Sequence, residues 1–248
     1  MSLLEVEGLQ KSFGGVRAVA GVSFELARGE LLALIGPNGA GKSTCFNMLF
    51  GLIRPDAGAV RLDGLDITAK KPRAIWRLGV GRTFQITATF SSMTVIENVQ
   101  MALISHAGMS LSMLSRARRL ERQRALELLD LVGMADQAER AASILAYGDL
   151  KRLELAIALA NEPTLLLMDE PTAGMAPGER GALMDLVASI VRDRHMASLF
   201  TEHDMDIVFG HADRVLVLNR GELIAEGPPA VIRADARVRE VYIGGGHA

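Results

Sequence analysis

The chain has 248 residues, of which 49% are hydrophobic, 4% aromatic and 23% charged, so it can bury a sizeable aliphatic core. Its formal net charge of -2 disfavours a protein that acts mainly on nucleic acid or acidic lipid, and its single cysteine excludes an internal disulfide and a multi-cysteine zinc site. No apolar run approaches the roughly 20 residues of a membrane helix. Glu5 and Glu7 lie where a signal peptide would have its apolar segment, which disfavours a signal peptide. We therefore expect a cytoplasmic protein.

The first third of the chain is predicted to be rich in β-structure. Apolar and polar residues alternate over 3–9 and 22–26, which indicates half-buried strands, and residues 59–62 continue this character up to an Asp63-Gly64 turn. Residues 31–35 are continuously apolar, which is typical of a strand buried on both faces. A glycine-rich stretch follows this strand, and residues 42–50 then have the pattern of a helix.

That glycine-rich stretch matches the phosphate-loop pattern G-x-x-x-x-G-K-[ST] with Gly36, Pro37, Asn38, Gly39, Ala40, Gly41, Lys42 and Ser43. Its glycines let successive amides converge on phosphate oxygens, and the following helix adds its positive end. Lys42 would reach the β- and γ-phosphates, and the Ser43 hydroxyl would bind Mg²⁺. A structural turn matching by chance is the alternative, and the strand–loop–helix context argues against it. Cys45 is better explained as a packing residue than as a nucleophile.

The middle of the chain is predicted to be a helical insertion. Between about 87 and 143 glycine is sparse, and residues 115–131 have an amphipathic pattern with apolar positions at Leu120, Ala125, Leu128 and Leu129. The same segment carries five arginines, Arg116, Arg118, Arg119, Arg122 and Arg124. A patch for nucleic acid or lipid headgroups is one explanation. We favour a solvated helix face whose charges are balanced by Glu121, Glu127 and Asp130.

The remaining chain alternates helices and strands, which predicts a largely parallel sheet. Helices are expected over 150–161 and 181–194, and strands over 164–168, 198–201 and 215–219, with a hairpin at Arg220-Gly221 leading to Leu223-Ile224. The strand at 164–168 ends in Asp169 and Glu170. Two such carboxylates would suit the metal–nucleotide site opposite a phosphate loop, Asp169 holding Mg²⁺ and Glu170 polarising the attacking water. An ordinary strand end is the alternative.

Taken together, the chain resembles the ATP-binding-cassette (ABC) ATPases over nearly its full length. Five segments carry the resemblance in the family's order: the phosphate loop, Gln85 in Arg82-Thr83-Phe84-Gln85, Leu145-Ala146-Tyr147-Gly148-Asp149, Asp169-Glu170, and Glu202-His203-Asp204. The resemblance implies an α/β fold, a P-loop NTPase core with an N-terminal antiparallel β subdomain and an inserted helical subdomain. It also implies one domain, with the core over 1–86 and 151–248 and the helical subdomain over 87–150.

Several segments are similar to the ATPase subunits of branched-chain amino-acid importers, namely Phe13-Gly14-Gly15, Gly81-Arg82-Thr83-Phe84-Gln85, residues 94–99, Tyr147-Gly148-Asp149 and Ala173-Gly174-Met175. Importers of urea and other amide-type solutes share these motifs, and the lipopolysaccharide-export ATPase is related. The transported solute therefore stays open. The resemblance implies an ATPase that couples hydrolysis of ATP with Mg²⁺ to solute uptake. A soluble ABC ATPase, an export cassette and a non-hydrolysing regulator are the competing hypotheses.

The resemblance also assigns roles to individual residues. Glu170, His203 and Gln85 would be catalytic; Ser43, Gln85 and Asp169 would hold the metal; and Phe13, the phosphate loop through Thr44, and the signature residues Leu145, Ala146, Tyr147, Gly148 and Asp149 would bind nucleotide. Phe13 would stack on adenine, although a core position is the alternative. His203 would contact the γ-phosphate. Without the resemblance it would be interpreted as a structural histidine.

The signature motif would act on the ATP of the opposite protomer, which implies a head-to-tail dimer with a second ATPase subunit, either this chain or a paralogue. The family pattern has a serine at Ala146 and, in many members, an aspartate at Ala176, so we expect weakened closure and altered communication between sites. Tyr147 and Asp149 replace the commoner glycine and glutamine, as in the branched-chain subgroup.

The implied partners are membrane permease subunits and, indirectly, a periplasmic solute-binding protein, with no nucleic acid. The cassette would lie peripherally on the cytoplasmic face of the membrane. A permease helix would dock around residues 86–94, where Phe90 and Met93 are candidate apolar contacts. Both could instead belong to the local core.

Overall fold

The computed structural model describes residues 2–83, 89–107 and 121–243. Its strands are β1 (Ser2–Phe13), β2 (Val16–Ala27), β3 (Leu31–Ile35), β4 (Ala57–Leu62), β5 (Leu65–Asp66), β6 (Val80–Thr83), β7 (Leu165–Asp169), β8 (Ala197–Thr201), β9 (Arg214–Asn219) and β10 (Glu222–Gly227). Its helices are α1 (Lys42–Leu49), α2 (Pro72–Arg77), α3 (Val95–His106), α4 (Arg122–Leu131), α5 (Tyr147–Ala158), α6 (Pro177–Asp193), α7 (Met205–His211), α8 (Pro229–Ala234) and α9 (Ala236–Ile243). Within these ranges, no helix has the length and apolar character needed to span a membrane.

The strands form two sheets. One is antiparallel, in the order β2-β1-β4-β5, and the other has the order β10-β9-β3-β8-β7-β6. In the second sheet β9, β3, β8, β7 and β6 are parallel, and β10 returns antiparallel through the Arg220-Gly221 turn. The predicted α/β fold with an N-terminal antiparallel unit is thereby confirmed.

The parallel sheet brings three chain segments to one edge. Strands β3, β8 and β7 are neighbours in this order, and every residue in them is buried, which is why β3 and β7 gave apolar runs in the sequence. Since parallel strands share their carboxyl edge, the glycine-rich loop after β3, Asp169 at the end of β7 and Thr201 at the end of β8 lie along the same edge.

Strand β3 divides the core into two parts. Leu31, Ala33 and Ile35 pack into a hydrophobic cluster with the helices that follow α2. Leu32 and Leu34 belong to a second cluster with the antiparallel sheet and α1. Because successive side chains of a strand point to opposite faces, one short strand joins both halves of the molecule.

Helices α3 and α4 lie between β6 and β7 in the chain, as the predicted insertion requires. A capping box starts α3, in which the Thr94 hydroxyl accepts from the Glu97 amide and the Glu97 carboxylate accepts from the Thr94 amide. The predicted apolar positions Ala125, Leu128 and Leu129 are buried in α4. Leu120 and the start of the expected 115–131 helix lie outside the described residues.

The two described arginines of α4 are partly exposed, as expected for a solvated helix face. Arg122 forms an ion pair with Glu139, and Arg124 forms one with Glu162; neither contact was predicted. The partners come from other elements, and helical spacing alone does not indicate them. Arg116, Arg118 and Arg119 lie outside the described residues.

Some elements were placed wrongly or missed. Helix α5 begins at Tyr147 and not at residue 150, so three of the signature residues form its first turn. Strand β6 was not predicted, because Gly81 and Arg82 interrupt its apolar pattern. The short helices α2, α7, α8 and α9 were also missed. Helices of six to eight residues are too short to show a clear 3.6-residue period.

Candidate nucleotide site

The phosphate loop joins β3 to α1 and is held by close backbone packing. A Cβ atom on Gly36 would lie 2.1 Å from the Leu218 carbonyl oxygen, and one on Gly41 would lie 2.2 Å from the Ala18 carbonyl oxygen. Only glycine fits at these two positions. The Gly221 amide also donates to the Ala40 carbonyl at 2.9 Å, so strand β2 and the β9–β10 hairpin together fix the shape of the loop.

Lys42 is buried in this loop. Its Nζ donates to the carbonyl oxygens of Gly36 at 2.6 Å and Pro37 at 3.2 Å. Burial lowers the pKa of Lys42, while the charges of Glu170 and Asp169 act in the opposite direction and raise it. The carboxylates therefore act on this ammonium electrostatically, which links the phosphate loop to the end of β7.

Cys45 lies in the first turns of α1 and is fully buried. Burial raises the pKa of its thiol to about 12, so the thiol stays protonated at neutral pH. The prediction that Cys45 packs in the core is confirmed.

Asp169 is a buried carboxylate with two oriented neighbours. The Thr201 hydroxyl donates to its Oδ1 at 2.7 Å, and the guanidinium of Arg82 lies 3.9 Å from its Oδ2. Arg82 also donates to the Asn47 side chain of α1 at 2.9 Å. Strand β6, helix α1 and strand β7 are thus tied together around one carboxylate.

Glu170 and His203 form a contact just beyond the sheet edge. Atom Nε2 of His203 lies 2.9 Å from Oε1 of Glu170, and the His203 side chain is 47% exposed. Glu170 has a φ of 51°, which is unusual for a residue other than glycine. Its amide faces the Thr201 carbonyl oxygen at 3.2 Å and the Thr201 hydroxyl at 3.1 Å. The structure therefore brings together two predicted site residues that lie 33 residues apart in the sequence.

The predicted signature residues surround the start of α5. Ala146 is the N-cap of α5, and its methyl side chain forms no capping hydrogen bond, as expected for an alanine in place of the family's serine. Leu145 is buried and Tyr147 is exposed, while Asp149 accepts a hydrogen bond from Gln137 at 3.2 Å. A Cβ atom on Gly148 would lie 3.1 Å from a carboxylate oxygen of Glu179 on α6.

Phe13 and Gln85 are two further residues predicted to belong to this site. Phe13 ends β1 and is 48% exposed, with the Lys11 ammonium 5.5 Å from its ring centre, so it is not a core residue. An exposed aromatic ring suits stacking on a base, and that role stays a prediction. Gln85 and Phe84 lie outside the described residues.

Residues 19–173 match the family model described as "ABC transporter", and residues 222–248 match "Branched-chain amino acid ATP-binding cassette transporter". The chain belongs to the ABC transporter family. It is 40% identical to the high-affinity branched-chain amino acid transport ATP-binding protein LivG of Salmonella typhimurium (strain LT2), over 98% of both chains. The probable LivG of Methanocaldococcus jannaschii is 33% identical, again over 98% of both chains.

Solved ABC cassettes have the same fold as this chain. A nucleotide-free ATP-binding cassette from an ABC transporter superposes with a TM-score of 0.88 at 31% identity, covering 98% of this chain and 100% of that one. The ADP conformation of an ATP-binding cassette of an ABC transporter gives 0.89 at 32% identity, covering 98% and 99%. This chain is accordingly an ATP-binding, ATP-hydrolysing cassette.

The segment that matches the branched-chain amino acid cassette model, residues 222–248, includes β10, α8 and α9. Helix α9 lies beside the phosphate loop, because Arg237, Glu240 and Val241 line a cavity of about 830 Å³ together with residues 37–40. The segment that matches the branched-chain model therefore adjoins the glycine-rich loop.

No role of their own was predicted for three polar residues around this site. Arg82 contacts Asp169, Glu202 binds the segment after Glu170, and Arg180 binds Asp204. Their partners lie 87, 30 and 24 residues away in the chain. A residue's own sequence neighbourhood carries no sign of such contacts. Arg82 is the exception, because a charged residue between the apolar positions of a strand indicates a buried partner.

Proposed function

We propose that this ABC cassette is the ATP-hydrolysing subunit of an importer for branched-chain amino acids or a related amino acid or amide. It would lie on the cytoplasmic face of the membrane and act through separate permease subunits, with a periplasmic solute-binding protein as an indirect partner. The solute class is supported by the 40% identity to the LivG transport ATP-binding protein over 98% of both chains. Hydrolysis is supported by one observation above all, the 2.9 Å contact between Glu170 and His203.

The residues around the phosphate loop suit a nucleoside triphosphate. The amides of 38–44 and the positive end of α1 would bind the phosphate oxygens. Lys42, now bonded to loop carbonyls, would turn its ammonium to the β- and γ-phosphates. Phe13, exposed at the end of β1, would stack on the adenine. A cavity of about 830 Å³ beside residues 37–40, lined in part by Asn219, Arg220 and Arg237, leaves room for such a ligand.

The donor set also fits Mg²⁺, which prefers oxygen ligands and keeps some of its waters. Ser43, exposed at the start of α1, and Asp169, oriented by Thr201, would hold the ion, together with the predicted ligand Gln85. The parts of the chain that the structure describes contain no group of three metal-binding side chains, in keeping with an ion that shares its coordination with phosphate and water. When bound, Mg²⁺ would neutralise charge on the phosphates.

Glu170 and His203 would carry the proton chemistry. The Glu170 carboxylate would accept a proton from the attacking water, in line with the γ-phosphorus. His203 would donate a hydrogen bond to the γ-phosphate oxygens as their charge grows, and its contact with Glu170 would keep the two side chains at one end of the site. The buried Lys42 would stabilise the same charge.

The sandwich dimer would complete the site. Ala146, Tyr147 and Gly148 lie at the start of α5, where amide groups are unpaired and the helix dipole is positive. In a head-to-tail pair, this helix end would close on the γ-phosphate held by the opposite phosphate loop. Within each subunit we propose a single domain, with the core over 1–86 and 151–248 and the helical subdomain over 87–150.

The permease would dock on the segment before α3. The Phe90 side chain is 55% exposed. Its backbone is held by the buried Asn98 side chain, which accepts from the Phe90 amide at 2.7 Å and donates to the Phe90 carbonyl at 3.2 Å. Met93 is partly buried beside it, while residues 86–88 lie outside the described ranges. An exposed aromatic ring on a rigid backbone would suit an apolar contact with a permease helix.

Mutating Glu170 tests the hydrolytic function. With Mg-ATP, the wild-type cassette should release phosphate steadily, and Glu170→Gln should lose about a hundredfold or more in kcat while ATP binding persists, because the amide cannot accept the proton. Absence of phosphate release from the wild type, or unchanged release from Glu170→Gln, would contradict the proposal. The former would favour the non-hydrolysing regulator.

Reconstitution with permease subunits and a solute-binding protein of the branched-chain amino-acid type tests the solute. ATP-dependent uptake of labelled leucine into proteoliposomes is expected, with urea and short amides as competing solutes. Phe90→Asp should reduce permease association, whereas Val231→Asp, at a similarly exposed apolar side chain on α8, should not. Recovery of nucleic acid without any permease would overturn the transport assignment.

A further inference from the structure

A buried carboxylate precedes His203 and holds the segment that follows Glu170. Glu202 is 4% exposed, and its Oε1 accepts from both the amide and the hydroxyl of Thr172, at 2.8 and 2.6 Å. Its Oε2 is 3.2 Å from the His203 amide, which donates to it. Thr172 is itself only 1% exposed. One side chain thus joins the chain two residues after Glu170 to the chain at His203.

A second connection lies on the other side of His203. Asp204 accepts from the Arg180 guanidinium at 2.8 Å, and the Nε of Arg180 donates to the Met175 carbonyl at 3.0 Å. The other oxygen of Asp204 caps α7 by accepting from the amides of Asp206 and Ile207. The end of the segment after β7 is therefore held through α6 to the residue that follows His203.

The backbone at Glu170 shows why such support matters. Its φ of 51° lies in the left-handed region, which costs energy for a side chain with a Cβ and persists only where the surroundings impose it. The Glu170 amide is paired with Thr201, the first member of the same 201–204 segment. Residues 170–176 are thus attached to 201–204 at Thr201, at Glu202 and, through Arg180, at Asp204.

We propose that Glu202 and Arg180 are positioning residues of the ATPase reaction, which clamp residues 170–176 against residues 201–204 so that Glu170 and His203 keep their approach. We call Thr172, Met175, Arg180, Glu202 and Asp204 the loop clamp. The inference rests on the proposed function, in which Glu170 and His203 act on the γ-phosphate. These two roles go beyond that function, since neither Glu202 nor Arg180 would touch the nucleotide, the metal or the attacking water.

The chemistry of the clamp favours positioning over simple packing. A buried carboxylate carries a desolvation cost, and apolar side chains of similar volume often stabilise a fold as well or better. Glu202 instead provides directional acceptors for three donors, on Thr172 and His203. Directional bonds fix the orientation of groups to within the small tolerance that a reacting geometry needs.

A pair of substitutions at Thr172 tests the clamp in the full-length cassette. Thr172→Val keeps the shape and removes the hydroxyl that donates to Glu202, whereas Thr172→Ser keeps the hydroxyl. We expect Thr172→Val to lower kcat about tenfold with the KM for Mg-ATP within about twofold, and Thr172→Ser to stay within about threefold of the wild type. Glu202→Gln and Arg180→Met should also lower kcat more than they change KM.

A matched control separates positioning from stability. Ser198→Ala removes a fully buried hydroxyl at the start of β8, away from the 170–176 loop, and should leave kcat unchanged. Thermal unfolding of each variant without nucleotide reports any general damage. Equal losses of kcat in Thr172→Val and Thr172→Ser, or losses that follow the unfolding temperature or appear in KM, would overturn the clamp.

A double-mutant cycle shows whether the clamp acts through His203. If it does, Thr172→Val should lower kcat much less in a His203→Ala background than in the wild type, since the group that it positions is already gone. Independent, multiplying losses would overturn the inference. Hydrolysis that depends on Glu170 but not on Thr172 would overturn the clamp alone, whereas a wild-type cassette without hydrolysis would refute the proposed function and the clamp with it.

Discussion

Lys42 is the residue whose burial and bonding make the sharpest prediction. Its ammonium is desolvated and bonded to two loop carbonyls, so it is already held inside the phosphate loop. Lys42→Met keeps most of the volume and removes the charge. We expect ATP affinity to fall by about tenfold or more, the value of a charge-assisted hydrogen bond.

The measurement is the rise in unfolding temperature on adding ATP, which depends directly on binding to the folded state. Lys42→Met should lose most of that rise. Lys71→Met, at an exposed lysine that precedes α2, should keep it. An undiminished rise in Lys42→Met would refute the phosphate-site assignment.

Among single residues, the sequence predicts those whose role is indicated by their immediate neighbours in the chain. The phosphate loop and Asp169-Glu170 could be found because each directly follows a buried strand, and the structure places both along one sheet edge. The clamp residue Glu202 could not be found, because its bond to Thr172 depends on strands β7 and β8 lying side by side. Its neighbourhood in the sequence, beside His203, suggested only a family motif.

Helices α5 and α6 share an unusual start, since each has an uncapped alanine as its N-cap. Ala146 precedes α5 and Ala176 precedes α6, and neither gives a side-chain hydrogen bond, whereas Asp204 caps α7. Ala146→Ser should stabilise the nucleotide-free cassette by about 1 kcal/mol, because the hydroxyl accepts from a first-turn amide. This corresponds to a rise of about 2–4 °C in unfolding temperature.

The same change should also promote ATP-dependent dimerisation, measured by gel filtration in a Glu170→Gln background. Lys71→Ser provides the comparison, because it would cap α2, whose N-cap Lys71 forms no side-chain hydrogen bond, and add similar stability away from the signature turn. If both variants promote dimerisation equally, the effect comes from general stability and not from the signature helix.

Helix α5 also carries a buried ion pair. Lys151 and Glu154 are 4% and 6% exposed, and their charged atoms are 3.1 Å apart. Lys151→Met alone should destabilise the fold by about 3–5 kcal/mol, because Glu154 is left buried without its partner, and adding Glu154→Leu should restore most of the loss. Urea unfolding measures both. Arg28→Met, which breaks an exposed pair with Asp63, should cost less than about 1 kcal/mol, and a similar cost for Lys151→Met would contradict the argument.

Elements were predictable to the degree that burial decides their sequence. Strands β3 and β7 are buried on both faces, so their apolar runs located them nearly to the residue. The start of α5 was missed because Tyr147, Gly148 and Asp149 form a first turn without an apolar period or a capping side chain. Contacts with α6 and Gln137 place that turn, and neither is visible in the local pattern.

The whole molecule combines two halves through β3, whose alternate side chains enter the two hydrophobic clusters. The phosphate loop continues from that central strand, whereas the signature turn starts α5, which packs in the cluster of the helical part. A nucleotide site assembled from both elements of one chain differs in a testable way from one that is shared across a dimer.

Mixing two inactive variants decides between these arrangements. Lys42→Met disables the phosphate loop, and Gly148→Asp places a carboxylate where the signature turn would meet phosphate. In a mixed head-to-tail dimer, one site carries both defects and the other carries neither, because each site takes its loop from one protomer and its signature turn from the other. We therefore expect the mixture to recover phosphate release, whereas each variant alone stays near background. A mixture of Lys42→Met with Ser43→Ala should recover nothing, since every site then has a defective loop. No recovery from the first mixture, with both variants folded, would contradict a site shared between two copies of this chain.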